Sequence, residues 1–186
     1  MEKKKLIIII AASVLALTLV ITGSVLLAKN FFKGSSDNNS DTPTTSNDAG
    51  YTISGTIKIK AGSAEGSKGK IVSIPVSCAE NPGINYSVGA IKYDAAKLKF
   101  AGFEKGKVFN DINYNSNEGL VTMDLNSEDF DKDVTGNGVL CTIKFEIISD
   151  EKGDTPIEVV FNEGFSCNSK EEIVAVKGEN GKITIK

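Results

Sequence analysis

Residues 84–94 read INYSVGAIKYD, and neither face of the strand they predict is polar. One set of alternate positions holds Asn85, Ser87, Gly89, Ile91 and Tyr93; the other holds Tyr86, Val88, Ala90 and Lys92. A strand with one side on a core and the other in water alternates apolar with polar residues. This one does not. Either its own domain covers both sides, or a partner comes to cover one of them.

The surroundings are built from similar runs. From Tyr51 onward no amphipathic helix pattern stands out, and strand-like stretches recur between Gly, Asn, Asp and Pro. They are 53–60, 70–79, 84–94, 98–106, 112–117, 120–127, 138–149, 156–165, 171–176 and 182–186. Val121, Met123 and Leu125 alternate with Thr122, Asp124 and Asn126, while Val139, Cys141 and Ile143 alternate with Leu140, Thr142 and Lys144. Some nine or ten such strands predict an all-β domain, a β-sandwich or jelly roll. Pro75, inside the second run, predicts an edge strand or a bulge there.

Composition narrows the chemistry. The 186 residues include no His, no Trp and no Arg, so all 21 basic residues are Lys. Without His, neither a Ser–His or Cys–His nucleophile nor an imidazole metal site can form. Without Arg, the bidentate fork for phosphates and carboxylates is missing. Residues 1–33 carry five Lys and one acid, a net +4, and the rest carries 16 Lys against 23 acids, a net −7. Such an acidic domain repels nucleic acid. Cys78, Cys141 and Cys167 lie within strand-like runs and lack metal-ligand spacing, so they read as small buried hydrophobes. A Cys78–Cys141 or Cys141–Cys167 bridge is the alternative.

Leu6–Ala28 is an uncharged stretch of 23 residues. As a helix it would be about 34 Å long, enough to cross a bilayer. Lys3, Lys4 and Lys5 before it favour a cytoplasmic N-terminus. A cleaved signal peptide is the rival, but its apolar region is usually only about 7–15 residues. Residues 1–33 are therefore expected to be a cytoplasmic tip and uncleaved transmembrane anchor. Residues 34–50, GSSDNNSDTPTTSNDAG, carry no apolar residue larger than Ala or Pro and predict a disordered linker. Residues 51–186 would then form the exported sandwich.

The order of motifs in that domain resembles the cohesins, the receptor modules that hold dockerin-bearing enzymes in cellulosome-type assemblies. The resemblance runs through GKIVSIPVSC, GINYSVGAIKYDAAKLKFAGFEKG, GLVTMDLNSED, NGVLCTIKFEI, TPIEVVFNEGF and GKITIK. Ala95 stands where the family has Pro in its YDP segment, and Asn137 where it has Asp in DGVLATI. The resemblance implies a nine-stranded jelly roll that takes its dockerin on one flat sheet face. It further implies a non-catalytic, cell-surface receptor that needs no cofactor of its own, the calcium being carried by the dockerin.

On that resemblance, Tyr86, Val88, Ala90 and Lys92 point at the partner. Val88 is then expected to face solvent when no partner is bound. Thr122, Asp124 and Asn126 face outward on the neighbouring strand, with Glu128 at its end. Asn168, Lys170 and Glu172 are carried over as outward positions on a third strand. Asp129, Asp131 and Asp133 have the spacing that starts a calcium loop, but Val134 and Leu140 occupy its sixth and twelfth positions. Asp111, Asn113 and Asn115 fail in the same way, with Ser116 and Thr122 there. Both stretches read as polar loops.

Two other classes compete. A carbohydrate-binding module on a tether would present aromatic platforms, and here only Tyr51, Tyr86, Tyr93 and Tyr114 could supply a hydroxylated one. An adhesin-type structural sandwich would be expected to repeat, and no internal repeat is visible.

Overall fold

The computed structural model describes residues 52–186, the side chains of 162–164 excepted. The expected anchor and linker lie outside the described residues. Among the described residues no helix is long and apolar enough to cross a membrane.

Eleven strands make up the described chain. They are β1 (Ile53–Ala61), β2 (Ser63–Gly66), β3 (Ile71–Ala79), β4 (Tyr86–Tyr93), β5 (Leu98–Lys105) and β6 (Asp111–Asn117). There follow β7 (Leu120–Asn126), β8 (Gly138–Ile147), β9 (Gly153–Cys167), β10 (Ile173–Glu179) and β11 (Gly181–Ile185). All ten strand-like runs of the sequence are strands, and β2 is the addition. Its SAEG carries no apolar alternation; it is recruited by parallel pairing with β11, Ser63 to Lys182 through Gly66 to Ile185.

Hydrogen bonding runs in the order β5-β8-β3-β1-β10-β9-β4-β7-β6, with β11 joining β9 and β2. The path folds back on itself as two facing layers. One is β5-β8-β3-β1-β10; the other is β6-β7-β4-β9 with β11 and β2. Tyr93 on β4 meets Phe145 on β8 across the interior, with ring centroids 4.8 Å apart. At the open edge between the layers, Tyr114 on β6 stacks on Phe103 of β5 at 4.2 Å and 12°. That aromatic contact joins the two ends of the strand order.

The interior follows from alternation. Ile57 and Ile59 of β1, Ile74 and Val76 of β3, Val121, Met123 and Leu125 of β7, and Ile143, Phe145 and Ile147 of β8 are all buried. Strand periodicity of two puts each set on one face. At roughly 1.5–3 kcal/mol for each large apolar side chain, this burial is the main force that holds the layers together.

Pro75 corrects an expectation, because β3 is an inner strand lying between β1 and β8. The β1–β3 ladder stops at Ala61–Val76, and beyond it the Pro75 carbonyl accepts from the Gly62 N–H at 2.7 Å. The N–H that proline lacks would point to that same side, where no ladder bond is required. A register shift between Val76 and Ser77 follows at once. The bulge was legible in the sequence; the edge strand was not correct.

Candidate docking face

Strand β4 is the centre of the candidate site, flanked on one side by β7 and on the other by β9. Directly paired residues share a face. Register therefore defines rungs on the outward side, running from β6 through β7 and β4 to β9. One rung is Asn117, Leu120, Lys92 and Glu158; the next is Asn115, Thr122, Ala90 and Val160. The third is Asn113, Asp124 and Val88, and the fourth is Asp111, Asn126, Tyr86 and Cys167.

The inward side of β4 explains its local sequence. Ile91 and Tyr93 belong to the apolar core. Ser87 is fully buried, and its Oγ lies 2.6 Å from Oγ of Ser166 on β9, so each hydroxyl is satisfied by the other. A side-chain carbon at Gly89 would run into the ring of Phe161, its paired residue on β9. Glycine is what lets that ring lie across β4.

The outward side partly overturns the expected platform. Val88 is only 3 % exposed and Ala90 only 2 %, although neither belongs to the main core cluster. Val88 does not face solvent. On a central strand a short side chain sits below its longer neighbours, here Asp124 and Thr122 on one side and Val160 on the other.

Around this buried strip the outward surface is polar. Tyr86, Thr122, Asp124 and Asn126 are half-buried on the face. Lys92 is exposed and pairs with Glu158 at 3.7 Å. Asp124 is half desolvated, and burial pushes its carboxyl above the usual range, with nearby Asp111 adding to the rise. Asp111, Asn113 and Asn115, which the sequence offered as a failed calcium loop, lie exposed along this side of β6. Their spacing of two was a strand signal: Ile112 between them is buried in the core. Glu158 and Val160 of β9 also belong to the face and were not foreseen.

Glu128 is exposed in the loop after β7. That loop is anchored by Asn85, itself 7 % exposed, whose Nδ2 donates to the carbonyls of Asp129, Phe130 and Lys132 at 3.2, 3.1 and 2.9 Å. Ser127 Oγ lies 2.9 and 2.8 Å from the carbonyls of Asp129 and Lys132. Lys132 and Asp129 form an ion pair at 2.9 Å. The lysine, followed by the backbone N–H of Asp131, holds the Asp129 carboxyl below its ordinary range.

Asn168, Lys170 and Glu172 require a correction. They lie in the turn between β9 and β10, not on a strand, and so share no strand face. Asn168 Oδ1 accepts the N–H groups of Lys170 and Glu172, both at 3.0 Å, while its Nδ2 donates to Glu172 Oε2 at 2.7 Å. Local hydrogen bonding of an Asn side chain makes a turn here where the strand pattern would continue. Lys170 is the exposed member of the three. The Ser169 N–H, donating to Asp133 Oδ1 at 2.6 Å, ties the turn to the loop after β7.

The three thiols are free. Desolvation pushes Cys141 up to about 12, and burial raises Cys78 and Cys167 as well. Protonated thiols of this kind are poor nucleophiles. Among the described residues, no group of three or more His, Cys, Asp or Glu is placed to hold a metal ion.

The two-layered sandwich with one broad, polar outward face is matched by a family model. The cohesin domain model covers residues 57–185, and the chain belongs to that family. Among solved structures, the seventh ScaB type I cohesin of Pseudobacteroides cellulosolvens is 20 % identical with a TM-score of 0.65, covering 71 % of this chain and 93 % of its own. The OlpA cohesin of Clostridium thermocellum, solved as a type I cohesin–dockerin complex, is 24 % identical with a TM-score of 0.63, covering 70 % and 99 %. A non-cellulosomal cohesin from the archaeon Archaeoglobus fulgidus is 19 % identical with a TM-score of 0.61, covering 70 % and 91 %. At these identities the likeness establishes a shared fold. No curated protein matches the chain.

Proposed function

We propose that this chain is a non-catalytic cell-surface receptor that binds dockerin-bearing proteins on the outward face of β6-β7-β4-β9. Membership of the cohesin family over residues 57–185 is the observation that carries this reading. A solved neighbour of the same fold is a complex with a dockerin, which supports the choice of partner. The absence of His from the sequence and the suppressed ionisation of the thiols favour binding over catalysis. In this reading Leu6–Ala28 holds the receptor in the membrane and residues 34–50 give the domain reach. The cargo would be polysaccharide-degrading enzymes or scaffoldins, with calcium carried on the dockerin side.

The face suits such a task. Its buried Val88 and Ala90 need no partner to cover them, so the empty receptor stays soluble at this surface. Hydrogen-bonding groups from Asn113, Asn115, Thr122 and Asn126 surround them, as on interfaces that form and dissociate. The test is titration of the full chain with a panel of purified dockerin modules in calcium, repeated with a chelator. Saturable binding that the chelator abolishes is expected. Failure of every dockerin to bind overturns the reading.

A further inference from the structure

Among the described residues the most exposed aromatic side chain is Phe130, at 60 %. It sits in the loop that leaves β7 after Asn126, and Asn126 pairs with Tyr86 on the last rung of the face. An exposed phenylalanine on a floppy loop would carry little meaning. This loop is not floppy in its bonding: Asn85 Nδ2 reaches three of its carbonyls, that of Phe130 included, and Ser127 reaches two. The Ser127 N–H donates to the Asn85 carbonyl at 2.8 Å, and the Asp131 N–H to Asp129 Oδ1 at 3.1 Å. Asn85 thus reads as a buried polar residue whose hydrogen bonds hold an apolar side chain in water.

Such an arrangement makes sense for recognition. A side chain displayed on a loop already ordered loses little freedom on binding, and aromatic residues dominate the energetics of interfaces. We propose that Phe130 is an anchor that enters an apolar pocket, rimmed by Lys or Arg, on the partner that docks against this face. The rim follows from charge: Glu128 and Asp131, two positions before and one after Phe130 in the chain, are both exposed, whereas Asp129 pairs with Lys132. The inference rests on the docking reading and adds an anchor to it.

The experiment measures affinity of the tightest dockerin from the panel for the full chain and for its Phe130→Ala, Phe130→Leu and Glu128→Gln/Asp131→Asn variants, with thermal unfolding and mass in solution recorded for each. Phe130→Ala should weaken binding roughly 10- to 100-fold, as truncated interface anchors do. Its melting temperature should not change, because the ring contributes little burial; Phe130→Leu should recover part of the affinity. The double charge variant should bind more slowly and with a flatter salt dependence. Unchanged affinity of Phe130→Ala overturns the anchor while leaving the docking reading intact, and so does a fall in melting temperature that accounts for the loss. Loss of self-association with dockerin binding unchanged assigns the ring to a second copy of the chain and equally overturns the proposal. If no dockerin binds the unaltered chain, the docking reading and the anchor fall together.

Discussion

Replacing Val88 by Asp should unfold or strongly destabilise the domain, and the size of the effect can be worked from its position. Val88 is 3 % exposed on a strand paired on both sides. Losing the burial of a valine costs about 1.5–2 kcal/mol. The new carboxylate would be desolvated without a partner, for which about 3 kcal/mol is a moderate figure. It would also stand directly across from Asp124, whose own carboxyl is already strained by burial and by Asp111. A total near 4–6 kcal/mol consumes much of the roughly 5–15 kcal/mol that stabilises a domain. For this chain length that is a fall in melting temperature of about 12–20 °C. The assay is thermal unfolding followed by circular dichroism, with Ile91→Asp as the core-facing control. The pH dependence adds a signature. The introduced carboxyl would have a raised pKa in the folded state, so the charge part of the loss should be absent below about pH 4 and grow as pH rises through that value, leaving only the lost valine burial at low pH. A Val88→Asp variant that melts like the unaltered protein at neutral pH would refute the buried placement and restore Val88 to the exposed platform.

Asp124→Asn should raise the melting temperature modestly at neutral pH. Its raised carboxyl favours the protonated form, so the benefit of removing the charge should disappear as pH falls below about 4, which unfolding curves at several pH values would show. Tyr114→Ala should cost about 1 kcal/mol by removing the stack on Phe103 that links the open edge, measured by denaturant titration. A neutral result there would mean that the two edge strands hold together without the aromatic contact.

Much of the fold was readable because it depends on local alternation. The buried sets of β7 and β8, Val121 with Met123 and Leu125, and Ile143 with Phe145 and Ile147, follow from side chains alternating across a pleated strand. No other residue need be known to predict which way they face. The outward character of Thr122, Asp124 and Asn126 followed in the same way. Asn113 and Asn115 obeyed the same rule, but their carboxamides and the neighbouring Asp111 also suited a metal loop. The strand run at 112–117 is the reading that the structure bears out.

What the tertiary structure alone decided was everything that depends on which strands become neighbours. SAEG became β2 only because β11 offered it an edge. Pro75 could sit in an inner strand only because the β1 ladder ended one residue away. The predicted strand at 171–176 starts at Ile173, since Asn168 diverts the chain into a turn by bonding Glu172. The question posed by INYSVGAIKYD also has a tertiary answer. Periodicity put Val88 and Ala90 on one face and the resemblance to the cohesins made it the outward one, but a face is not an exposure. How much water a side chain meets depends on the height of its neighbours across the ladder, and those come from β7 and β9, more than thirty residues away in the chain.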